Sequence, residues 1–353
     1  MRTRRRGGGG EEEEEEEEGR QAREKEKKER AREKYKNDKC KKRYAVTLNR
    51  PPGHHCDGQR IHGYCYINNV AASIDRVCKV MDTKMKILVL DVDVHHGDGT
   101  QKLFYSNPNV LTISFHQFDG TFFPCTGERK EYGPSRGHAA YGTNINIPLH
   151  PGATDYDLLY ALRNVVWPIV DEFQPEIAYY AVGTDGVDGD RACPDTKLSP
   201  LIYGQVCYEL MSRCSKIVVT TEGGYTTSFL ADGMNSVMQA LTGSHNVNIF
   251  PSSFAQAWIR PETKNAVECT RSDLKKIYRF PDLVYDNTGY EDWKQPQTSA
   301  SHVHTFMHQI HPRTHFCVCL CVISRRENKQ ETRGGGGGGG EKKKKELHKT
   351  GKY

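Results

Sequence analysis

Short apolar runs alternate with amphipathic segments through the middle of the chain. Six runs have the length of β-strands, at residues 44–48, 86–92, 110–115, 144–149, 177–182 and 217–220. Most are continuous, as in parallel strands that are covered on both faces. Apolar residues recur at helical spacing over 68–74, 155–170, 200–214 and 229–241, with a last, weaker helix over 272–278. This alternation predicts an α/β domain of three layers, with a doubly wound, mostly parallel sheet between two layers of helices.

The two ends of the chain have low complexity. A run of eight glutamates and a Lys/Arg/Glu mixture fill residues 1–43, while a run of seven glycines precedes a lysine-rich C-terminus. Such compositions cannot bury a core. We therefore predict a charged tail over 1–43 that is disordered or a solvated helix, a globular domain over 44–292, and a disordered tail over 293–353.

Composition excludes several classes of function. The formal net charge of +5 on 353 residues is too small to indicate a nucleic-acid binder. No apolar run approaches the ~20 residues that a membrane span requires. The 12 cysteines follow no framework spacing, and no secretory leader precedes them. We therefore expect free thiols and a reducing, intracellular compartment.

The residues with chemistry fall at the carboxyl ends of the predicted strands. Asp93 and His95 end the 86–92 strand, two residues apart, so their side chains leave the same face of an extended chain. Asp185 follows the 177–182 strand. Open α/β sheets place their sites at this edge. Two carboxylates and one imidazole make the three protein ligands of a catalytic zinc site with an open position.

Further polar residues at the same edge supply the rest of a hydrolytic site. His54 and His55 are a candidate acid/base pair, and Asp91 and Asp98 could orient one imidazole each. Tyr225 follows the 217–220 strand and could donate its hydroxyl to an oxyanion. Each residue has an ordinary alternative as a helix cap, a turn residue or part of the core. Their joint placement favours a metal-assisted amide hydrolase.

A set of motifs between about Tyr44 and Gly243 resembles the histone deacetylase family, in the order that the family has them. The motifs are RPPGHH (50–55), GYC (63–65), DVDVHHGDGTQ (91–101), FFP (122–124), GTD with GD (183–185 and 189–190) and EGGY (222–225). The resemblance implies an arginase-like fold for residues 44–292. It implies zinc on Asp93, His95 and Asp185.

The resemblance also assigns roles to the remaining residues. It implies His54 and His55 as acid/base pair, supported by Asp91 and Asp98, with Tyr225 as oxyanion donor. It implies an acyl-lysine tunnel lined by Gly63, Tyr64 and Phe123. Family members also bind K⁺ near this strand end, which would involve Asp91, Asp93, His95 and Ser114.

The activity implied by the family is hydrolysis of acetyl-lysine in histones or other proteins. Such an enzyme is a chromatin regulator that represses transcription with corepressor partners, in the nucleus and/or the cytoplasm. Neither direct nucleic-acid binding nor membrane association is expected.

Three features leave the exact function open. Arg191 after Asp190 resembles class I deacetylases, whereas RPPGHH and EGGY resemble class II and bacterial members, so the subclass is undecided. Residues 63–69 and 98–101 also resemble acetylpolyamine amidohydrolases, which is an alternative function with the same chemistry. Glu and Lys runs stand where the family has a first strand and rim loops, so the other alternative is an inactive fragment that acts as a binding module.

Overall fold

The computed structural model describes residues 42–82, 84–192, 195–244 and 259–284, most positions between 17 and 30, and the backbone of 302–306 and 317–325. The described positions between 17 and 30 are helical, which is one of the two states expected there. None of the helices in these described ranges has both the length and the apolar content to cross a membrane.

Six parallel strands form the centre of the fold. They are β1 (Lys42–Arg50), β2 (Ile87–Asp91), β3 (Val110–Gln117), β4 (Asn144–Leu149), β5 (Ile177–Val182) and β6 (Lys216–Thr221). Their order across the sheet is β4-β3-β2-β5-β6-β1, and every neighbouring pair is parallel. The chain therefore winds outward from the centre in two directions, and the order reverses between β2 and β5.

The helices follow the predicted alternation. They are α1 (Asn69–Met81), α2 (Asp98–Phe104), α3 (Asp155–Ala161), α4 (Trp167–Phe173), α5 (Leu201–Arg213), α6 (Thr227–Thr242) and α7 (Pro261–Leu274). A π-helical turn, Leu162–Val166, joins α3 to α4. Asn68 begins α1 by accepting a hydrogen bond from the amide of Ala71 at 2.9 Å.

The core has two parts because successive side chains of a strand point to opposite faces. Ile87 and Val89 of β2 pack with Val70 and Ile74 of α1 on one face. Leu88 and Leu90 belong to the larger cluster on the other face, with residues of α3 to α7. Helices thus cover both faces of the sheet, and the predicted three-layer, doubly wound fold is confirmed.

The last predicted helix was misplaced. The pattern indicated 272–278, but α7 spans Pro261–Leu274, and 275–277 form a turn. Pro261 lies in the first helical turn, where its missing N–H costs nothing. Only Thr263, Val267, Thr270 and Leu274 of α7 are buried. Two threonines among them leave too weak an apolar stripe for the sequence pattern to show.

Two further strands extend the sheet beyond β1. Strand β8 (Cys317–Arg325) pairs antiparallel with β1 along its whole length, and β7 (His302–Phe306) pairs with β8. Both lie in the segment predicted as a disordered tail. The limits of the globular domain, 44–292, stay a prediction.

Candidate active site

The carboxyl ends of the two central strands meet at the point where the strand order reverses. Asp93 and His95 follow β2, and Asp185 follows β5. In doubly wound sheets, the crevice at such a reversal is where ligands bind, because the flanking loops diverge there. The fold therefore brings together two segments that are about 90 residues apart in the chain.

Asp93, His95 and Asp185 offer one ligand atom each, and all three atoms lie within 4.8 Å of one another. His95 Nδ1 is 3.0 Å from Asp93 Oδ1 and 3.2 Å from Asp185 Oδ2. Both carboxylates are buried. Two carboxylates and one imidazole this close form a candidate centre for a single divalent cation.

Neighbouring backbone amides hold the outer oxygens of this cluster. Gly223 N donates to Asp93 Oδ2 at 2.7 Å, and Val94 N donates to Asp185 Oδ1 at 3.2 Å. Asp185 Oδ2 is fully buried. The His95 ring nitrogen lies 3.2 Å away, but no hydrogen bond of good geometry reaches this oxygen from the described residues. A buried carboxylate oxygen with so weak a partner is costly unless a cation binds it. These residues therefore fit a zinc ion.

His54 and His55 lie beside this centre, each bonded to the carboxylate that the sequence pairs with it. His54 Nδ1 is 3.0 Å from Asp91 Oδ2, and His55 Nδ1 is 2.7 Å from Asp98 Oδ1. The two imidazole rings are 4.0 Å apart between centroids. A carboxylate engages each Nδ1, so each Nε2 is left for other partners. Nε2 of His54 lies 3.8 Å from Asp93 Oδ1, whereas the His55 ring lines a pocket.

The two histidines differ in their affinity for a proton. Burial opposes the charge on His54, but Asp93 and Asp91 raise its pKa well above the usual value. Burial and the neighbouring charge of His54 together lower the pKa of His55 to about 4. Adjacent groups whose pKa values are pushed apart can take different roles in one reaction.

Glu222 is a site residue that the sequence interpretation missed. Its buried Oε2 accepts hydrogen bonds from the amides of Gly53 at 2.7 Å and His54 at 3.1 Å. Burial raises its pKa to about 7. Glu222 thereby fixes the histidine loop to the end of β6. A carboxylate directly after a strand and before Gly-Gly could have indicated it.

An open pocket of about 540 Å³ leads to the centre. It is lined by His55, Gly63, Tyr64, His95, Phe123, Arg191, Ala192 and Tyr225, so the predicted tunnel residues and the predicted oxyanion donor share its walls. The Phe123 ring lies edge-on to His55, with centroids 5.1 Å apart. Burial raises the pKa of the Tyr225 hydroxyl above its usual value, so this group stays a proton donor.

A tight turn shapes one wall of the pocket. Gly63 and Tyr64 both have positive φ, 51° and 64°. Reciprocal backbone hydrogen bonds between His62 and Cys65, at 3.3 and 2.8 Å, close the turn around them. A Cβ on Gly63 would lie 2.2 Å from Cδ2 of His55. The glycine is therefore needed for the His55 ring to reach the pocket.

The remaining predicted residue, Ser114, lies behind the centre on β3. Its hydroxyl is 2.9 Å from Nδ1 of His116. Ser114 and Asp91 line a cavity of about 10 Å³. The K⁺ site stays a prediction.

Comparisons with known proteins agree with this geometry. The model of the histone deacetylase domain matches residues 29–241. Human histone deacetylase 9 is 35% identical over 202 residues, which is 55% of this chain and 20% of that protein. Human histone deacetylase 7 is 34% identical over 233 residues, 64% of this chain and 24% of that protein. The crystal structure of the HDA15 HD domain superposes with a TM-score of 0.56 at 29% identity, covering 65% of this chain and 60% of that one.

The aligned part spans about a fifth to a quarter of these curated relatives. The family model nevertheless matches more than half of this chain. With the parallel sheet and the Asp-His-Asp cluster, this match establishes that the chain belongs to the histone deacetylase family.

Proposed function

We propose that this protein is a zinc-dependent deacetylase that hydrolyses the amide of acetyl-lysine in proteins, with histone tails as the first candidates. The observation that carries the proposal is the Asp93–His95–Asp185 cluster at the base of a pocket that also exposes His55 and Tyr225. Action on chromatin with corepressors, in the nucleus and/or the cytoplasm, belongs to the same proposal.

Asp93, His95 and Asp185 would hold the zinc ion. A zinc ion bound there would polarise the substrate carbonyl and lower the pKa of a coordinated water to about 7. Without a metal, His95 holds a proton: burial opposes its charge, but Asp185 and Asp93 raise its pKa to about 10. Burial also raises the pKa of Asp185 to about 6. Zinc affinity should therefore fall at low pH, because the cation competes with these protons.

His55 is the proposed proton carrier. Its ring forms part of the pocket wall, and Asp98 holds Nδ1, so Nε2 can take the proton of the attacking water. The same nitrogen then gives the proton to the leaving lysine amine. His54 does not line the pocket, and its raised pKa keeps it cationic beside Asp91 and Asp93. We assign His54 to stabilising negative charge near the reacting carbonyl.

Tyr225 and the pocket walls complete the mechanism. The Tyr225 side chain is 39% exposed and lines the same pocket as His95. Its hydroxyl would donate to the carbonyl oxygen as negative charge develops there. Gly63, Tyr64 and Phe123 would enclose the aliphatic part of the acyl-lysine, which needs an apolar passage.

The test is acetate release from an acetyl-lysine peptide by the zinc-loaded chain. Replacement of Tyr225 by Phe should lower kcat by about 100- to 1,000-fold, as for loss of one oxyanion donor, and leave zinc content unchanged. Equal turnover by the wild type and a His54→Ala/His55→Ala double variant would refute the mechanism. Faster hydrolysis of acetylspermidine than of the peptide would favour a polyamine amidohydrolase. A folded chain that binds the peptide without hydrolysing it would favour a binding module.

A further inference from the structure

The rim of the pocket carries a cation that the proposed reaction does not use. Arg191 lines the same pocket as Gly63 and Phe123, and it is exposed. We propose that Arg191 selects acetyl-lysine substrates that have an acidic side chain next to the acyl-lysine. This inference rests on the proposed function and names the substrate class of that site.

Arg191 is available to bind an anion. It is the one Lys or Arg among the eight pocket-lining residues. No carboxylate of the described ranges forms an ion pair with it, whereas Lys197, a nearby exposed cation, is paired with Asp188 at 2.8 Å. An unpaired guanidinium is a planar donor that matches a carboxylate in geometry as well as charge.

The backbone that carries Arg191 is held in place by the preceding residue. Asp190 is buried, and its Oδ2 accepts from the amides of Tyr225 at 3.1 Å and Thr226 at 2.8 Å. Its Oδ1 accepts from the amide of Ala192 at 3.0 Å. The first two of these hydrogen bonds tie the Arg191 segment to the loop of the proposed oxyanion donor, and the third fixes the turn around Arg191 itself. The backbone of Arg191 is therefore held in place at the mouth of the pocket.

The depth of Arg191 decides which part of the substrate it meets. The acyl group must reach His95, whose side chain is 12% exposed at the base of the pocket. Arg191 is exposed, as is Tyr64, a residue of the same pocket wall that is 72% exposed, so both lie towards the rim. Residues that flank the acyl-lysine pass over this rim, while the acyl chain does not. The expected partner is thus a Glu or Asp side chain of the peptide.

The charge also weighs against the alternative substrate. A polyamine is a polycation, and a cation at the rim repels it. Attraction or repulsion at one exposed position should change substrate affinity only modestly, by about threefold for each unit of charge, because water and salt screen exposed charge pairs.

The experiment uses the zinc-loaded chain and three acetyl-lysine peptides that are identical except for Glu, Gln or Lys on both sides of the acyl-lysine. We expect kcat/KM and affinity to fall in the order Glu, Gln, Lys, by up to about ninefold at each step, because each step changes two unit charges. Affinity is measured by fluorescence anisotropy with the Tyr225→Phe variant, so it does not depend on turnover. In Arg191→Gln the three peptides should become equal within twofold, and in Arg191→Glu the order should reverse. Arg191→Lys and the control Lys197→Gln should keep the wild-type order.

The outcomes separate the two proposals. Equal affinity of the three peptides for Tyr225→Phe, or an unchanged order in Arg191→Glu, overturns the role of Arg191 and leaves the deacetylase proposal intact. The expected order of affinities without hydrolysis of any peptide supports the role of Arg191 and overturns the deacetylase proposal. Ratios are compared within each variant, so a general loss of activity does not affect the conclusion.

Discussion

Replacement of Gly223 by Ala should weaken zinc binding by about 100-fold. A Cβ at this position would lie 2.1 Å from Asp185 Oδ2 and 2.7 Å from Asp93 Oδ2, well inside van der Waals contact. Neither carboxylate can move away, since both are buried. Gly223 cannot move easily either, because its N–H donates to Asp93 and its carbonyl accepts from Thr184 N at 2.9 Å.

The magnitude follows from which groups the methyl displaces. Changes that disturb the orientation of metal ligands typically cost 10- to 100-fold in affinity, and this one touches two of the three. At a fixed excess of zinc, a 100-fold weaker Kd lowers the zinc-dependent stabilisation by about 2.7 kcal/mol. For a domain of this size that corresponds to roughly 5–10 °C in the Tm difference between zinc-loaded and chelated protein.

The assay is competition for zinc against a chromophoric chelator, with thermal unfolding of loaded and zinc-free protein. The matched control is Gly186→Ala in the loop after Asp185. The nearest atoms to its Cβ would be a Leu198 methyl at 3.0 Å and two hydroxyl oxygens at 3.6 Å, and none of the three belongs to a metal ligand. This control should bind zinc as the wild type does. Wild-type zinc affinity in Gly223→Ala would refute the assignment of Asp93 and Asp185 as ligands of one ion.

Two other substitutions test the neighbouring parts of the structure. Gly63→Ala should lower kcat/KM by at least about tenfold with zinc content unchanged, because its Cβ would displace the His55 ring; wild-type kinetics would contradict the position of His55. Burial raises the pKa of Asp155 from 3.8 to about 6, against the hydrogen bonds from Ser199. The folded state thus keeps a proton that the unfolded state releases, and this stabilisation, complete below pH 3.8, is lost as the pH rises through 6. Urea unfolding from pH 4 to 7 measures this effect. The free energy of unfolding of the wild type should fall relative to that of Asp155→Asn by at most about 1.4 kcal/mol per pH unit, over roughly two pH units. Parallel curves of unfolding free energy against pH would exclude this pKa.

The motif residues show which parts of the site can be predicted from local sequence. The pairs Asp93/His95 and His54/His55 are each close in the chain, so strand geometry and spacing were enough to propose that they act together. The predicted strands over 86–92 and 177–182 also indicated which edge of the sheet would hold the site. The sequence did not predict the role of Glu222, because this residue binds two backbone amides that are 168 and 169 residues away in the chain. Such a contact leaves no local pattern in the sequence.

The sequence by itself determined the class of fold, because continuous apolar runs between amphipathic helices can bury both faces only in a layered parallel sheet. It also determined the types of side chain at each strand end. Only the tertiary structure decided that β5 lies beside β2, which brings Asp185 to His95, and that Arg191 faces the pocket. Strand order depends on how the helices of both layers pack against the sheet. This packing is the sum of many long-range contacts, and no single segment of the sequence specifies it.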